Sequence, residues 1–180
     1  DATDADDLTR AEIEGRRQVL EIYEFLVKYV PGFENAFLLS VSEQVGIRET
    51  RRIKGKYILT KEDVLSARRF EDVIARGIHP VDIHDGGVGR GMNITSLDRP
   101  YDVPYRCLLP QKVENLIVAG RCVSATREAF GSVRGTTTCM ATGQAAGTAA
   151  VMSLVSKGNP NSVDVKKLQE KLIQDGQKII

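Results

Sequence analysis

The sequence has few of the residues that metal sites and disulfide frameworks require. Its three cysteines, Cys107, Cys122 and Cys139, lie far apart without a C-x-x-C pair, and there are only two histidines. No cysteine or histidine has the spacing of zinc ligands, which argues against a structural zinc site. An odd number of cysteines favours reduced thiols in a cytosol-like compartment. We therefore predict a cytoplasmic protein with no metal.

An excess of charge is also missing. The 180 residues include 25 Lys and Arg against 24 Asp and Glu, a formal net charge of +1, which gives no argument for a nucleic-acid partner. The given sequence starts at Asp1 without an initiator Met and shows no signal segment, so we interpret the chain as a processed product or a piece of a longer one. The 42% of hydrophobic residues suffices for the core of one large domain or two small ones.

Charged residues are absent altogether from Thr136 to Ser156. This run has the length of a transmembrane helix, but its threonines, glutamine and glycines are too polar, and we predict no membrane span. Its smallest side chains recur every four residues, which predicts a helix that packs very closely against its neighbours. They are Ala141, Ala145 and Ala149 in one row and Gly143 and Gly147 in another.

The first third predicts a helix followed by antiparallel strands. Apolar residues recur at helical spacing over Leu8–Tyr29, with Asp7 or Thr9 as the cap and Pro31 after the end. "AFLLSVSEQVGI" alternates as a strand, and "IRETRRIKGKYIL" predicts a β-hairpin or two antiparallel strands, with a turn around Gly55. Both belong to residues 1–110.

A second helix and a long loop complete residues 1–110. Thr60 and Asp63 have the spacing of a capping box, and the pattern after them predicts an amphipathic helix that ends at Gly77. Four prolines and four glycines lie within residues 79–110, which predicts a loop that acts as a lid or a linker. Within it, "DGGVGRG" lacks the following helix of a dinucleotide-binding motif and is interpreted as a flexible loop.

Residues 111–157 predict a strand, a loop and a long helix, and residues 158–180 a terminal helix. "NLIVAG" is typical of a buried strand that ends at Gly120. The "GSVRGTTT" that follows is not a triphosphate-binding loop, since Gly131 and Gly135 are too close together and Thr136 stands in place of lysine. The free N–H groups of the helix that starts there favour an anion or a cofactor. The alternative is a core helix without a ligand.

Four further residues are candidates for chemistry. Arg48 and Arg52 lie on the same face of a predicted strand, where they form either a solvated face or a carboxylate-binding pair. His84, between two aspartates, is either an acid/base or a surface residue. Cys139 lies near a helix start that would lower the pKa of its thiol, but the sequence places no base beside it.

Five stretches resemble the FAD-dependent oxidoreductase family, in the expected order. They are "GIRETRRIKGKYILTKEDV", "FEDVIARGIHPVDIHD", "VPYRCLLP", "ENLIVAGRCVSAT" and "AFGSVRGTTTCMATGQAAGTAA". The resemblance implies an α+β or α/β fragment: an N-terminal helix, antiparallel strands of the cap region, and a strand–loop–long-helix unit. That unit, residues 111–157, would complete a two-dinucleotide-binding-domain flavoprotein fold, and residues 1–110 would be part of the substrate or cap region. It also implies FAD as cofactor.

The resemblance also implies which residues approach the cofactor. Strand end and loop would follow the FAD pyrophosphate and ribityl chain, and the last helix would point its N-terminus at the flavin. The implied cofactor-binding residues are Gly120, Arg121, Ser124, Ala125, Thr126, Gly131, Ser132, Val133, Arg134, Gly135, Thr136 and Thr137. The candidates for substrate contact or acid/base chemistry are Arg48, Arg52 and His84.

The family's G-x-G-x-x-G fingerprint is absent from these residues. We therefore expect a C-terminal fragment, inactive alone, whose full-length protein transfers a hydride between flavin and a small organic substrate, with carbohydrate-related compounds as one candidate class. The alternative is a non-catalytic domain that binds an anion or a protein partner at the glycine-rich helix start.

Overall fold

The computed structural model describes residues 1–84, 92–155 and 158–179. The chain divides into two compact units, Asp1–Arg51 and Arg52–Ile180. The motif "DGGVGRG", for which the sequence predicts a flexible loop, lies outside the described residues. Mixed helices and small antiparallel sheets make up the described fold, in agreement with the α+β prediction.

The first unit is built on one long helix, α1 (Ala5–Tyr29). Its start precedes the predicted one because Asp4, rather than Asp7 or Thr9, caps the helix and accepts the backbone N–H groups of Asp6 and Asp7 at 3.0 Å. The strand predicted for "AFLLSVSEQVGI" is wrong, since residues 36–47 form no strand. Their loose alternation fits a strand, but a strand also needs a paired neighbour.

The second unit begins its regular structure with the predicted capping box. Thr60 and Asp63 exchange backbone-to-side-chain hydrogen bonds at 3.0 and 3.2 Å. The helix that follows, α2 (Lys61–Leu65), has five residues, so the prediction of a helix to Gly77 is wrong. Ala67, at a left-handed φ of 52°, ends it. The later apolar residues belong to a strand, β1 (Val73–Gly77).

The loop predicted for residues 79–110 is wrong for its described part, which contains three strands. β2 (Val81–His84) pairs antiparallel with β3 (Met92–Thr95), and β4 (Tyr101–Pro104) pairs antiparallel with β1. A short 3₁₀ helix, Tyr105–Leu108, follows β4. The prolines exclude long helices but are compatible with the ends of short strands, which the loop prediction did not allow for.

The predicted hairpin at Gly55 is also wrong. Residues 53–59 instead run between two distant segments. The N–H groups of Ile53 and Leu59 donate to carbonyls of residues 122 and 124, and Lys56 N–H donates to Leu109 O at 2.8 Å. Isolated bridges join Gly55 to Pro110 and Leu59 to Ala125. Isolated bridges and hydrogen bonds with distant residues have replaced the local turn, and no strand forms over residues 53–59.

Three helices complete the second unit. They are α3 (Arg127–Val133), α4 (Thr136–Val155) and α5 (Val165–Gln174), with a 3₁₀ turn at Pro160–Ser162 before the last. The predicted long helix and terminal helix are confirmed. The strand predicted for "NLIVAG" is not formed: residues 115–119 are irregular and Gly120 begins a 3₁₀ turn, Gly120–Cys122.

α4 packs on β1 and α5, and its buried apolar side chains are alanines. Ala145 and Ala149 are fully buried in the core that also holds Ile74 and Leu168. The glycines do not share in this packing, contrary to the prediction of close contact. Within the described part of the chain, a Cβ at Gly143 or at Gly147 would meet no atom within 4 Å. The uncharged glycine side of α4 is therefore an open surface here. None of the helices of the described residues has the length and hydropathy needed to cross a bilayer.

Candidate functional site

The segment "GSVRGTTT" is a junction between two helices rather than a loop. Thr126 caps α3 by accepting the N–H of Ala129 at 3.4 Å, and α3 then includes Gly131, Ser132 and Val133. These three residues are buried. Only Arg134 and Gly135 separate α3 from α4, so the direction of α4 depends on how α3 is held.

Three contacts hold α3 against the chain around β2. The hydroxyl of Ser132 donates a short hydrogen bond to the carbonyl of His79. Arg134 Nη2 lies 3.0 Å from Asp82 Oδ2 and 3.2 Å from Asp82 O. A Cβ at Gly131 would lie 2.8 Å from Asp82 O, so glycine is required for this close approach. We call this set of contacts the α3 anchor.

A buried tyrosine continues the α3 anchor into the core. Tyr101 Oη lies 2.9 Å from Ser132 Oγ. Because Ser132 uses its only proton towards His79, Tyr101 is the donor in this pair. Burial raises the pKa of Tyr101 to about 12, so the phenol keeps that proton at neutral pH. The role of this chain of hydrogen bonds is to fix α3.

The N-terminus of α4 presents uncharged polar groups. Thr136 and Thr137 are exposed, whereas Thr138 is buried, with no hydrogen-bond partner for its Oγ1 among the described residues. The N–H groups of a helix's first turn have no intrahelical acceptor, and the helix dipole makes this end positive. No acidic residue in the first turn offsets it. The end of α4 therefore suits a negatively charged or electron-rich group.

The segment from Gly120 to Ala125 is attached to α4 and to residues 53–59. Gly120 has a left-handed φ of 67°, and its N–H donates to Thr142 Oγ1 at 3.1 Å. Ser124 is fully buried and accepts Gly55 N–H at 3.0 Å, while Ala125 is bridged to Leu59. Arg121 is exposed. Of the cofactor-binding residues expected in this segment, Ser124 uses its hydroxyl within the fold.

The three residues expected to do chemistry have different surroundings. The guanidinium of Arg52 stacks on the ring of Phe130 in α3, 5.2 Å from its centroid. His84 ends β2, the strand that carries Asp82, and its backbone pairs with Met92. The structure thus brings Arg52 and the strand of His84 to α3. Arg48 is an exposed residue of the first unit.

The expected activation of Cys139 is wrong. Burial raises the pKa of its thiol, although the charge of Arg121 opposes this. Its Sγ lies 3.3 Å from the carbonyl oxygen of Arg134, so the thiol is a donor to the α3–α4 junction. The raised pKa keeps this thiol protonated at neutral pH, which argues against its use as a nucleophile.

Sequence reasoning missed the residues that face "GSVRGTTT" across the fold. Asp82 is the ionic partner of Arg134, and the ring of His79 would lie 3.2 Å from a Cβ at Gly135. About fifty residues separate each pair along the chain. The sequence offers one signal for this pair, the carboxylate of Asp82. We interpret it as a neighbour of His84, whereas in the structure it pairs with Arg134.

A family model described as FAD dependent oxidoreductase matches residues 1–172. No curated protein and no solved structure matches the chain. Because the family model covers nearly the whole chain, the chain belongs to the FAD-dependent oxidoreductase family, whose cofactor is FAD.

Proposed function

We propose that this chain is the C-terminal part of an FAD-dependent oxidoreductase that acts on a small organic substrate, with carbohydrate-related compounds as one candidate class. The observation that carries the proposal is the N-terminus of α4, an uncharged helix end with exposed Thr136 and Thr137 in a chain that matches the family. When bound, FAD supplies the hydride chemistry. The protein supplies binding, orientation and electrostatics.

In this proposal the residues expected from the sequence fall into two groups. Gly135, Thr136 and Thr137 approach the flavin, and the N–H groups of Thr136 and Thr137 stabilise negative charge at its edge. The buried part of the same motif, from Gly131 to Val133, supports them from behind. Gly120, Arg121 and Thr126 lie along the rest of the cofactor. Ser124 and Ala125 contribute their backbone, because the side chain of Ser124 is buried against Gly55.

The open side of α4 supports a completed fold. We infer that residues 111–157 close an FAD domain whose fingerprint lies elsewhere in the full-length protein, that residues 1–110 belong to the cap, and that residues 158–180 form a terminal helix. Residues 115–119 would then gain neighbouring strands, and Gly143 a packing partner. Gly143→Ala tests this: the change is favourable in the isolated chain, where space is open, and should lower the melting temperature of the full-length holoenzyme.

Arg52, Arg48 and His84 are the proposed substrate-contacting residues. Arg52 has the most support, since its guanidinium is held on Phe130 beside the α3–α4 junction. A planar guanidinium held in this way can bind a carboxylate or an oxyanion in bidentate fashion. Once a substrate is identified, kcat/KM of Arg52→Ala, Arg48→Ala and His84→Ala variants tests each assignment, and an unchanged value removes that residue from the site.

The cofactor itself gives the simplest test. The full-length protein that contains this chain is purified and its visible absorbance is recorded before and after adding FAD. We expect the flavin spectrum in the folded protein. A folded protein that stays colourless with added FAD would refute the proposal and favour the second candidate, a non-catalytic domain that binds an anion or partner at the exposed Thr136–Thr137 end of α4.

A further inference from the structure

We propose that the ion pair between Arg134 and Asp82 positions the N-terminus of α4 and thereby tunes the flavin that this end faces. Arg134 is then a positioning residue, and its side chain does not bind the FAD pyrophosphate. This inference rests on the proposed function, in which α4 points at the flavin. The inference gives Asp82 a role in the same site. From the sequence alone, Asp82 is only one of the two aspartates beside His84.

The geometry commits the guanidinium of Arg134 to the strand. Its Nη2 donates both to Asp82 Oδ2 at 3.0 Å and to Asp82 O at 3.2 Å. The two side chains are 16% and 17% exposed, so solvent screens their attraction less than that of a surface pair. An arginine held in this way is turned towards β2 through its Nη2.

Because Arg134 lies between α3 and α4, its ion pair can determine the orientation of α4. Arg134 caps the C-terminal end of α3, where its N–H donates to Phe130 O at 3.1 Å, and α4 begins two residues later at Thr136. The pair therefore fixes the chain at the junction between the helices. Because hydrogen-bond donors must be aimed accurately to stabilise charge, a small rotation of α4 would weaken the effect of its first N–H groups.

Gly131 allows this pair to form. With hydrogen in place of Cβ, α3 approaches the backbone of Asp82 to a distance at which a Cβ would lie 2.8 Å from its carbonyl oxygen. The same carbonyl accepts from Arg134. One glycine and one arginine of the same sequence motif thus hold the same residue of β2.

The second unit offers a matched control. Arg106 and Asp72 form another arginine–aspartate pair, with Nε to Oδ2 at 2.9 Å and side chains 47% and 16% exposed. Neither residue belongs to α3 or α4. Asp72→Asn therefore removes another arginine–aspartate pair and leaves the pair of Arg134 and Asp82 unchanged.

The test uses the full-length holoenzyme and the reduction potential of its bound flavin. Asp82→Asn, Arg134→Gln and the double variant are compared with the wild type and with Asp72→Asn. We expect both single changes to weaken the stabilisation of reduced flavin about tenfold, which lowers a two-electron potential by about 30 mV. The double variant should shift no further than either single one, because the two residues act as a unit. Asp72→Asn should leave the potential unchanged.

Other results overturn the inference in distinguishable ways. If Arg134→Gln loses FAD while Asp82→Asn behaves as wild type, Arg134 binds the cofactor directly. If neither variant shifts the potential beyond the Asp72→Asn control, the pair is only structural. If Arg134→Gln fails to fold, Arg134→Lys replaces it in the test. Lysine keeps the positive charge but lacks the planar guanidinium, so its flavin potential must lie between those of the wild type and Asp82→Asn. A wild-type protein without flavin refutes the proposed function itself.

Discussion

Replacing Gly131 by alanine tests the closest approach in the α3 anchor. The new Cβ would lie 2.8 Å from the carbonyl oxygen of Asp82, 3.2 Å from its nitrogen and 3.3 Å from its carbonyl carbon. All three are backbone atoms of β2, so no flexible side chain can move aside. Overpacking of this kind costs roughly 1–3 kcal/mol in the free energy of unfolding.

Helix propensity acts in the opposite direction and must be removed from the comparison. Alanine is favoured over glycine by about 1 kcal/mol inside a helix. Gly143, inside α4, provides the control because a Cβ there meets no atom within 4 Å in the described part of the chain. We expect Gly143→Ala to stabilise the isolated chain by about 1 kcal/mol. The difference between the two variants then isolates the clash at Gly131, roughly 1–3 kcal/mol.

Urea unfolding of the isolated chain, followed by far-ultraviolet circular dichroism, measures both changes. In thermal unfolding, each 1 kcal/mol corresponds to about 2–4 °C in the melting temperature for a chain of this size. A Gly131→Ala chain as stable as the Gly143→Ala chain would refute the reasoning, because α3 would then not approach β2 as closely as the anchor requires.

Three other predictions follow from buried polar groups. Burial alone would raise the pKa of the Asp63 carboxyl. The hydrogen bonds that it accepts, first from the backbone N–H of Thr60 and then from side chains, outweigh burial and hold its pKa below the usual 3.8. Its contribution to stability is therefore complete above that value and is lost as the pH falls through the lowered pKa, and Asp63→Asn should remove this part of the pH dependence measured in urea. Iodoacetamide at neutral pH should alkylate exposed Cys122 well before Cys139, whose pKa burial raises, as mass spectrometry of the digested protein will show. Asp102→Ala should lower the free energy of unfolding by about 3 kcal/mol. The reason is that the buried carboxylate accepts from Arg69 at 2.8 Å and from Arg76 at 3.0 Å, and both arginines lose their partner. A loss below about 1 kcal/mol would contradict this.

Signals that lie within a few residues predicted the ends of helices well. The capping box at Thr60, the stop at Pro31 and the start of α4 at Thr136 all depend on neighbours in sequence. Each is confirmed because its hydrogen bonds form within a few residues. The prediction that α2 extends to Gly77 failed for a related reason. The short apolar run around Ile74 fits a helix and a strand equally, and its pairing with β4 makes it a strand.

Strands and contacts across the fold were predicted least well, since both depend on partners that the local sequence does not specify. "NLIVAG" is apolar enough for a strand, yet the one hydrogen bond of Val118 to Leu108 at 3.0 Å does not make a ladder. The α3 anchor is a similar case. The sequence pattern of "GSVRGTTT" marked a cofactor-facing segment but not that Gly131 and Arg134 both act on Asp82. Part of this motif therefore serves to hold α3 on β2, and its most exposed residues are Thr136 and Thr137.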